Sequence, residues 1–319
     1  GLGDVYKRQA YIATDFRYYE QVARECPGFT LVKVERQLTD VLPGMLKEAG
    51  VKVLGFESFH LTVDEFRRWR RLTRGIRWVP CEDEVGRIRS VKSPEEIQSI
   101  RRAVALADEA FHHACSILRP GMTEKEVAWE IETYMRTHGA DKVAFDLIVA
   151  SGPNSALPHA RASDKPIKEG EPIVIDIGCV VDGYCSDLTR TVVLGKADER
   201  FREIYSIVLR AQQRAEKALR AGMKARRADA VARRVIEKAG YGPQFGHGLG
   251  HGVGLAVHEK PTVNRLSRDV LQAGNVITVE PGIYISGWGG VRLEDVVVIG
   301  EDGAEILTRS PKGLKFAVL

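Results

Sequence analysis

The sequence predicts an α+β fold, in which a larger C-terminal domain with a curved antiparallel sheet follows a smaller N-terminal α/β domain. The N-terminal residues alternate short apolar strands with helical stretches. The C-terminal residues contain, twice, a pair of helices followed by a hairpin with two acids, which indicates an internal pseudo-twofold. A chain of 319 residues is long enough for about two domains. We expect these domains at residues 1–87 and 88–319.

The N-terminal domain is predicted from its alternating pattern. Apolar strands are expected at Thr30–Val34 and Val51–Gly55, and helices at residues 40–49 and 63–72. Strands that are connected by helices of this length are expected to lie parallel.

The C-terminal domain is expected to begin with two capped helices, after a polar linker at residues 82–90. Ser93–Glu96 is a capping box with proline at the first helical position, and apolar residues follow it at helical spacing. A second capping box at Thr123–Glu126 starts a helix that Gly139 is expected to end. The other predicted elements are a strand at residues 144–150, helices at residues 199–221 and 228–239, and a final strand.

The first acid-bearing hairpin contains Asp176 and Asp187. An apolar run, Ile173–Ile177, leads to a turn centred on Val181 and Asp182, and the chain then returns as a second strand. This turn predicts that the two aspartates are direct cross-strand neighbours, with Cβ atoms roughly 5 Å apart. Such a pair is usually solvated surface. However, Asp176 interrupts a run typical of a strand buried on both faces, where an unpaired carboxylate costs several kcal/mol.

The second hairpin repeats this arrangement with Glu280 and Glu294. Val276–Val279 and Val291–Leu293 flank a turn at Gly287–Gly290, which again predicts that the two acids lie opposite each other. Four carboxylates this close on apolar strands repel one another and lose hydration, unless divalent cations neutralise them. The sequence offers no comparable set of buried lysines, so the acids predict a two-metal site.

The segment between the two acid pairs is rich in glycine and histidine. His247, His251 and His258 are three of the eight histidines of the chain. Glycine at such density opposes a helix and lets the backbone approach a ligand, and histidine offers a neutral nitrogen at physiological pH. A lone histidine in such a loop is usually a polar turn residue. Three histidines between two acid pairs indicate a functional site instead.

Composition and charge exclude several classes of protein. The formal net charge is only +4, and lysine and arginine are interspersed with acids, which argues against a nucleic-acid partner. The local run Arg67–Arg71 is interpreted as the solvated face of a helix. No stretch approaches roughly 18 apolar residues, so no membrane-spanning helix is expected. Five cysteines without Cys-x-x-Cys spacing favour a reducing cytoplasm over a disulfide framework.

Six short motifs stand out in the C-terminal part of the chain: Asp176–Gly178, Tyr184–Thr191, Gly250–Gly254, His258–Glu259, Val279–Tyr284 and Gly290–Asp295. Together they resemble motifs of the pita-bread metallopeptidases, in the branch of Xaa-Pro dipeptidase (prolidase) and aminopeptidase P. The resemblance covers roughly residues 88–319 and implies a pita-bread catalytic domain. The chain opens with residues that resemble the middle of the creatinase-like N-terminal domain, so we expect that domain to be truncated.

The resemblance implies two divalent ions per chain and five ligands. Asp187 would chelate one ion, His251 would bind the other, Asp176 and Glu294 would bridge or nearly bridge them, and Glu280 would complete the set. A set dominated by carboxylates, with one imidazole and no thiolate, favours manganese or cobalt, and iron and zinc stay open as alternatives. Two such ions can share a water and lower its pKa towards neutrality, so amide hydrolysis is expected.

The resemblance also implies roles beyond metal binding. Glu280 would pass the proton of the attacking water to the leaving nitrogen, and His258 would stabilise the tetrahedral oxyanion. His159, in the loop before the first hairpin, would contact the substrate. His247 is assigned to the substrate pocket, because the Gly-His-Gly-Val-Gly pattern centres on His251.

Arg292 and Tyr284 are expected at the pocket from their positions on the strands. Arg292 lies two residues before Glu294 and therefore shares its strand face. Its alternative role is a salt bridge to one of the acids. Tyr284 has a comparable position after Glu280, and its alternative role is that of a simple core residue.

The expected function is hydrolysis of the Xaa-Pro bond of dipeptides or short peptides by a cytoplasmic enzyme, which the family suggests is a homodimer. Aminopeptidase P activity on longer Xaa-Pro-Yaa peptides is the alternative. Some prolidases carry an arginine just after the His-Glu-x-Pro string, where this chain has Thr262, which weakens a strict dipeptide preference. The cations left to meet a proline carboxylate are Arg292, Arg265 and Arg268.

Two functions of other classes are also considered. The fold includes scaffolds that bind protein partners after losing their ligands, and metal-free amidinohydrolases of the creatinase type. Both are disfavoured, because all five ligands are present in this sequence. Metal content separates these alternatives from a hydrolase most cheaply.

Overall fold

The structure is a computed structural model that describes residues 10–319, and it divides the chain into two compact units, the second of which begins at Val85. The described elements of the first unit are β1 (Tyr11–Thr14), α1 (Tyr19–Glu25), β2 (Thr30–Lys33), α2 (Leu38–Glu48), β3 (Val53–Glu57), α3 (Val63–Leu72) and β4 (Arg77–Cys81). Strand β1 pairs in parallel with β2, and β3 pairs in parallel with β4. The predicted α/β pattern is therefore confirmed.

The polar segment predicted as the linker contains a helix, α4 (Glu84–Ser90). Its last residue is buried, and the Ser90 carbonyl accepts a hydrogen bond of 2.9 Å from Asn275 Nδ2. A short polar helix has too few apolar residues to show helical periodicity, which is why the sequence pattern did not distinguish it from a linker.

The helices of the second unit begin where the capping boxes predict. Ser93 Oγ accepts from Glu96 N at 3.3 Å, and Thr123 Oγ1 accepts from Glu126 N at 3.2 Å. Among the described residues, no helix combines the length and apolarity that crossing a membrane requires. The helices are α5 (Pro94–Ile117), α6 (Glu124–Thr137), α7 (Glu199–Ala218) and α8 (Ala225–Lys238).

The strands of the second unit pair antiparallel in several small sheets. The strands are β5 (Lys142–Val143), β6 (Ile148–Ser151), β7 (Pro172–Ile177), β8 (Cys179–Val181), β9 (Tyr184–Cys185), β10 (Leu188–Val193), β11 (Gly250–Gly252), β12 (Glu259–Val263), β13 (Val276–Val279), β14 (Gly282–Ile285), β15 (Gly289–Arg292), β16 (Asp295–Ile299) and β17 (Ala304–Ile306). The sheet orders are β10-β7-β6, β5-β8-β9, β12-β11-β13-β16-β17 and β14-β15.

Each helix pair packs against the hairpin that follows it in the chain. Phe111 of α5 and Ile131 of α6 share a buried cluster with the apolar residues of β7. Phe201 of α7 and Ile236 of α8 share another with Ile277 of β13. Burying each such side chain contributes about 1.5–3 kcal/mol. These two clusters repeat the arrangement that the sequence predicts, and they place both acid-bearing hairpins on a rigid base.

Candidate metal centre

The first acid pair lies on a hairpin whose register differs from the prediction. Asp176 on β7 pairs with Thr189, and Asp187 lies just before β10. The two aspartates are therefore not direct cross-strand neighbours. The central turn residues are Asp182 and Gly183, both with positive φ, because an Asp-Gly dipeptide suits this turn type. This shifts the partner of Asp176 by two residues, so Asp187 stays on the same face of the sheet.

Both strands of the first hairpin are interrupted, and Asp187 lies at the interruption of the returning strand. Gly178 separates β7 from β8, and Ser186 and Asp187 separate β9 from β10. A Cβ atom on Gly178 would lie 2.3 Å from the Ser186 carbonyl oxygen and 2.7 Å from the Phe145 ring. Only glycine fits so close an approach of the two strands.

The second acid pair has the predicted alignment. Val279 pairs with Asp295 on one side of the pair, and Gly282 pairs with Arg292 on the other. The same register on both sides places Glu280 opposite Glu294. Both carboxylates lie at an interruption of the hairpin, just as Asp187 does in the first one.

His251 on β11 lies beside one acid of each hairpin, Asp187 and Glu280. Its Nε2 lies 3.2 Å from Glu280 Oε1 and 3.6 Å from Asp187 Oδ2. Its Nδ1 donates a hydrogen bond of 3.1 Å to the Gly252 carbonyl. In the neutral ring this bond leaves Nε2 as the nitrogen with a free lone pair, which is the form that binds metal.

The five predicted ligands line one cavity of about 560 Å³. Donor atoms of Asp187, His251 and Glu294 all lie within 4.8 Å of one another, close enough to hold one cation. Asp176 Oδ1 is buried and has no hydrogen-bond partner among the described residues. A buried carboxylate oxygen without a partner is costly unless a ligand satisfies it.

Burial and mutual repulsion perturb the acids strongly. Burial raises the pKa of Asp187 well above its usual range, and the charges of Glu294 and Asp176 raise it further. Burial likewise raises the pKa of Glu294 well above normal, with Glu280 and Asp176 adding to it. Burial also acts to raise the pKa of Glu280, but the hydrogen bond and charge of protonated His251, together with the charges of His247 and Arg292, outweigh it and leave that pKa at about 2. Such a cluster favours a bound cation.

Arg292 both lines the cavity and forms the salt bridge considered as its alternative role. Its guanidinium pairs with Asp176, and it donates 3.0 Å to Thr189 Oγ1 and 2.9 Å to the Tyr284 hydroxyl. A further bond of 3.2 Å reaches the Pro158 carbonyl in the loop before the first hairpin. Arg292 is therefore anchored on several sides.

The other predicted site residues lie in or behind the cavity. His159, His247 and His258 line it, and the His258 ring centre lies 4.1 Å from that of His251. Tyr284 is not among the lining residues. Its hydroxyl lies 2.9 Å from His247 Nε2, so Tyr284 supports the pocket residues from behind.

Two buried threonines that the sequence argument missed orient the acids. Thr189 Oγ1 donates to Glu294 Oε2 at 2.7 Å, and Thr278 Oγ1 donates to Glu280 Oε1 at 3.1 Å. Thr189 lies two residues after Asp187, and Thr278 lies two residues before Glu280. Residues two apart in a strand share a face, so this spacing was a usable signal. Hydrogen bonds of this kind fix the orientation of a ligating carboxylate.

Buried carboxylates that converge with one imidazole in a cavity define the class of carboxylate-rich metalloenzyme sites. Comparison with family models agrees. Residues 98–301 match metallopeptidase family M24, and residues 5–91 match the creatinase/prolidase N-terminal domain. The chain belongs to metallopeptidase family M24, which confirms the family predicted from the motifs.

Individual relatives agree with this membership. The chain is 48% identical over 233 residues to Xaa-Pro dipeptidase of Pyrococcus furiosus, covering 73% of this chain and 67% of that protein. The structure of Xaa-Pro dipeptidase from Bacillus anthracis is similar with a TM-score of 0.94 and 42% identity, covering 99% of this chain and 88% of that one. X-Pro aminopeptidase from Thermotoga maritima is similar with a TM-score of 0.89 and 41% identity, covering 98% and 88%.

Proposed function

We propose that this chain is a two-metal hydrolase that cleaves the Xaa-Pro bond of dipeptides. The observation that carries the proposal is the convergence of Asp176, Asp187, His251, Glu280 and Glu294 in one cavity. Similarity to proteins named Xaa-Pro dipeptidase supports the choice of substrate. Similarity to an X-Pro aminopeptidase favours a second candidate, the release of the first residue from longer peptides.

The residues present fit a pair of divalent ions. The unpaired Asp176 Oδ1 and the raised pKa values of Asp187 and Glu294 are both relieved by cation binding. These three acids, together with His251 and Glu280, would hold the ions. When bound, such ions polarise a peptide carbonyl and lower the pKa of a water towards neutrality.

Glu280 is proposed to move the proton in the reaction. Its carboxylate takes the proton of the attacking water and passes it to the leaving proline nitrogen. The hydrogen bond from Thr278 Oγ1 and the contact with His251 Nε2 fix the orientation of that carboxylate. A proton carrier has to lie within hydrogen-bond reach of both atoms, so this fixed orientation matters.

His258 is proposed to stabilise the oxyanion. Burial lowers its pKa, and the neighbouring His251 lowers it further, so the ring is neutral at pH 7 and offers one N–H donor. A donor placed where negative charge develops lowers the barrier. His159 and His247 line the same cavity and are proposed to hold the substrate backbone, with Tyr284 fixing the His247 ring.

Arg161 is proposed to meet the free carboxylate of the proline. It is exposed in the cavity wall and, among the described residues, forms no ion pair with an acid. The cations proposed from sequence fit this task less well: Arg292 is already paired with Asp176, while Arg265 and Arg268 do not line the cavity. A free cation at this place favours dipeptides, whose carboxylate follows the proline directly.

The central experiment measures metal content and peptide hydrolysis together. Purified protein is expected to bind two ions per chain, to lose activity on chelation and to regain it with manganese or cobalt. The kcat/KM values for Xaa-Pro, Xaa-Pro-Yaa and Xaa-Ala peptides are then compared. A dominant tripeptide rate makes the enzyme an aminopeptidase. Efficient cleavage of Xaa-Ala refutes the proline specificity, and activity without metal refutes the two-metal mechanism.

Arg161→Met tests the source of the dipeptide preference. The variant is expected to raise KM for Xaa-Pro about tenfold or more, as loss of a charge-assisted contact predicts, and to leave Xaa-Pro-amide unchanged. Arg265→Met is the matched control, because Arg265 is likewise exposed but lies outside the cavity wall. Equal effects on the acid and the amide would exclude a carboxylate contact.

The enzyme is further proposed to act as a homodimer in a reducing compartment. Family resemblance supports the dimer, and the five free thiols suit such a compartment. Light scattering of the purified protein tests the oligomeric state, because a monomer has half the mass of the expected particle.

A further inference from the structure

The charged residues beside His258 form a cluster that the proposed chemistry does not use. Glu259 follows His258 directly, and it is absent from the cavity wall that His258 lines. The Glu259 carboxylate is buried and lies 2.6 Å from Arg89 Nη2 and 2.7 Å from Lys92 Nζ. The Lys92 side chain is itself only 1% exposed. We call Arg89, Lys92 and Glu259 the ion triad.

The loop before His258 closes around the Glu259 carboxylate. Ala256 N donates to Glu259 Oε2 at 3.3 Å. A Cβ atom on Gly254 would lie 2.5 Å from Glu259 Oε1, so the carboxylate packs directly against this glycine. The Gly254 carbonyl also accepts a bond of 2.8 Å from Cys185 N in the first hairpin. The position of the carboxylate therefore sets the path of the backbone that leads to His258.

The cations of the triad are tied to the sheet that carries a proposed metal ligand. Lys92 N donates to the Gly274 carbonyl at 2.9 Å, and Val91 forms a β-bridge with Asn275. Asn275 is followed directly by β13, which ends one residue before Glu280. The triad thus connects the His258 loop to the strand of Glu280.

Stability alone explains this triad poorly. Burial lowers the pKa of Lys92, which reports a cost of keeping its ammonium charged, and Glu259 only partly opposes it. A buried ion pair is often no more stable than apolar side chains of similar volume. Short charge-assisted hydrogen bonds do, however, define a position more narrowly than apolar contacts.

We propose that the ion triad is a positioning device that holds His258 where the oxyanion forms. The proposal rests on the oxyanion role proposed for His258. Glu259, Lys92 and Arg89 do not touch the substrate, and they act through the backbone at His258. A small displacement of a catalytic group can lower a rate by about 10²-fold, so a modest loosening of the loop is measurable.

Glu259→Gln tests the device, because it keeps the shape of the side chain and removes its charge. The variant is expected to lower kcat about tenfold or more, to change KM less than about threefold and to keep its metals. Lys92→Met is expected to do the same, and the double variant is expected to lose less than the two losses combined. Glu305→Gln is the matched control, because it removes an ion pair of equal length, Arg101–Glu305, at a more exposed place.

A second measurement needs no substrate. In protein labelled with ¹⁵N-histidine, the His258 ring signals are identified by their loss in His258→Ala. They are expected to shift or broaden in Glu259→Gln and to stay unchanged in Glu305→Gln. This result supports the positional role even if wild-type protein hydrolyses no Xaa-Pro peptide. If Glu259→Gln lowers Tm but leaves these signals unchanged, the triad only stabilises the fold and the proposal is overturned.

Discussion

Glu124→Gln is expected to weaken both the fold and the substrate pocket. Glu124 starts α6, and its side chain is fully buried. One carboxylate oxygen accepts from Ser151 N at 2.7 Å and from Ser151 Oγ at 2.8 Å. The other accepts from Ser163 N at 3.1 Å and from Ser163 Oγ at 2.6 Å. Asn154 Nδ2 donates to both oxygens. This carboxylate therefore holds both ends of the loop that carries His159.

The expected loss of unfolding free energy follows from the hydrogen bonds that the glutamine amide cannot form. Glutamine keeps one acceptor oxygen, but its NH₂ group would face the N–H groups of Ser163 and Asn154. Ser163 Oγ can rotate and accept instead. Two bonds to a charged acceptor are then lost, each contributing about 1.5–3 kcal/mol, so the free energy of unfolding should fall by about 3–6 kcal/mol. A domain in the upper part of the ordinary stability range of about 5–15 kcal/mol stays folded after this loss.

Urea unfolding followed by circular dichroism measures this loss, with an unchanged m-value as the sign that only stability has changed. KM for Xaa-Pro should rise as well, because the loop between Ser151 and Ser163 carries His159 and Pro158, whose carbonyl binds Arg292. Glu126→Gln is the control, since Glu126 lies on the same helix but is exposed, and it should have a small effect. A loss of less than about 1 kcal/mol for Glu124→Gln would refute the argument from buried hydrogen bonds.

Four further predictions concern the metal centre. Asp187→Asn should lower metal affinity sharply in titration calorimetry, because it removes an anionic ligand. The affinity of the metal-free wild type for manganese should rise as pH increases from about 5 to 8. The reason is that the pKa values of Asp187 and Glu294 are raised, so metal binding displaces protons from these carboxyl groups. An affinity independent of pH would contradict this. Gly178→Ala should unfold at a lower temperature, because its Cβ would lie 2.3 Å from the Ser186 carbonyl oxygen; an unchanged Tm would contradict it. His258→Ala should lower kcat about 10²-fold with both metals retained, whereas a metal-free variant would make His258 a ligand.

The sequence predicted the elements of the site better than their alignment. The capping boxes at Ser93 and Thr123 start helices as expected, because side-chain caps depend on local residues only. The predicted register of the first hairpin was wrong by two residues, because Asp176 pairs with Thr189 and not with Asp187. Register depends on which residues take positive φ in the turn, and there Asp182 has φ 50°.

Contacts between distant segments were not accessible from the sequence. Glu124 is separated from Ser163 by the rest of α6, by β5 and β6 and by a loop, and nothing in its local pattern distinguishes it from the exposed Glu126. Arg161 was missed for the same reason, since a single arginine in a loop shows no periodicity. Such residues acquire their environment only when the loop folds back over the strands.

The catalytic unit has two halves, each made of a helix pair and the acid-bearing hairpin that follows it. Each half contains a side chain that binds a carboxylate of the other half. Thr189 of the first half donates to Glu294 of the second, and Arg292 of the second half pairs with Asp176 of the first. Between them, the Thr191 hydroxyl accepts from Arg292 N at 3.0 Å and donates to the Arg292 carbonyl at 2.9 Å. Glu280 is oriented within its own half by Thr278, but neither half alone could orient all of its carboxylates. A site that needs acids from both halves is complete only when they are docked, so the same contacts that assemble the fold also set the distances between the proposed metal ligands.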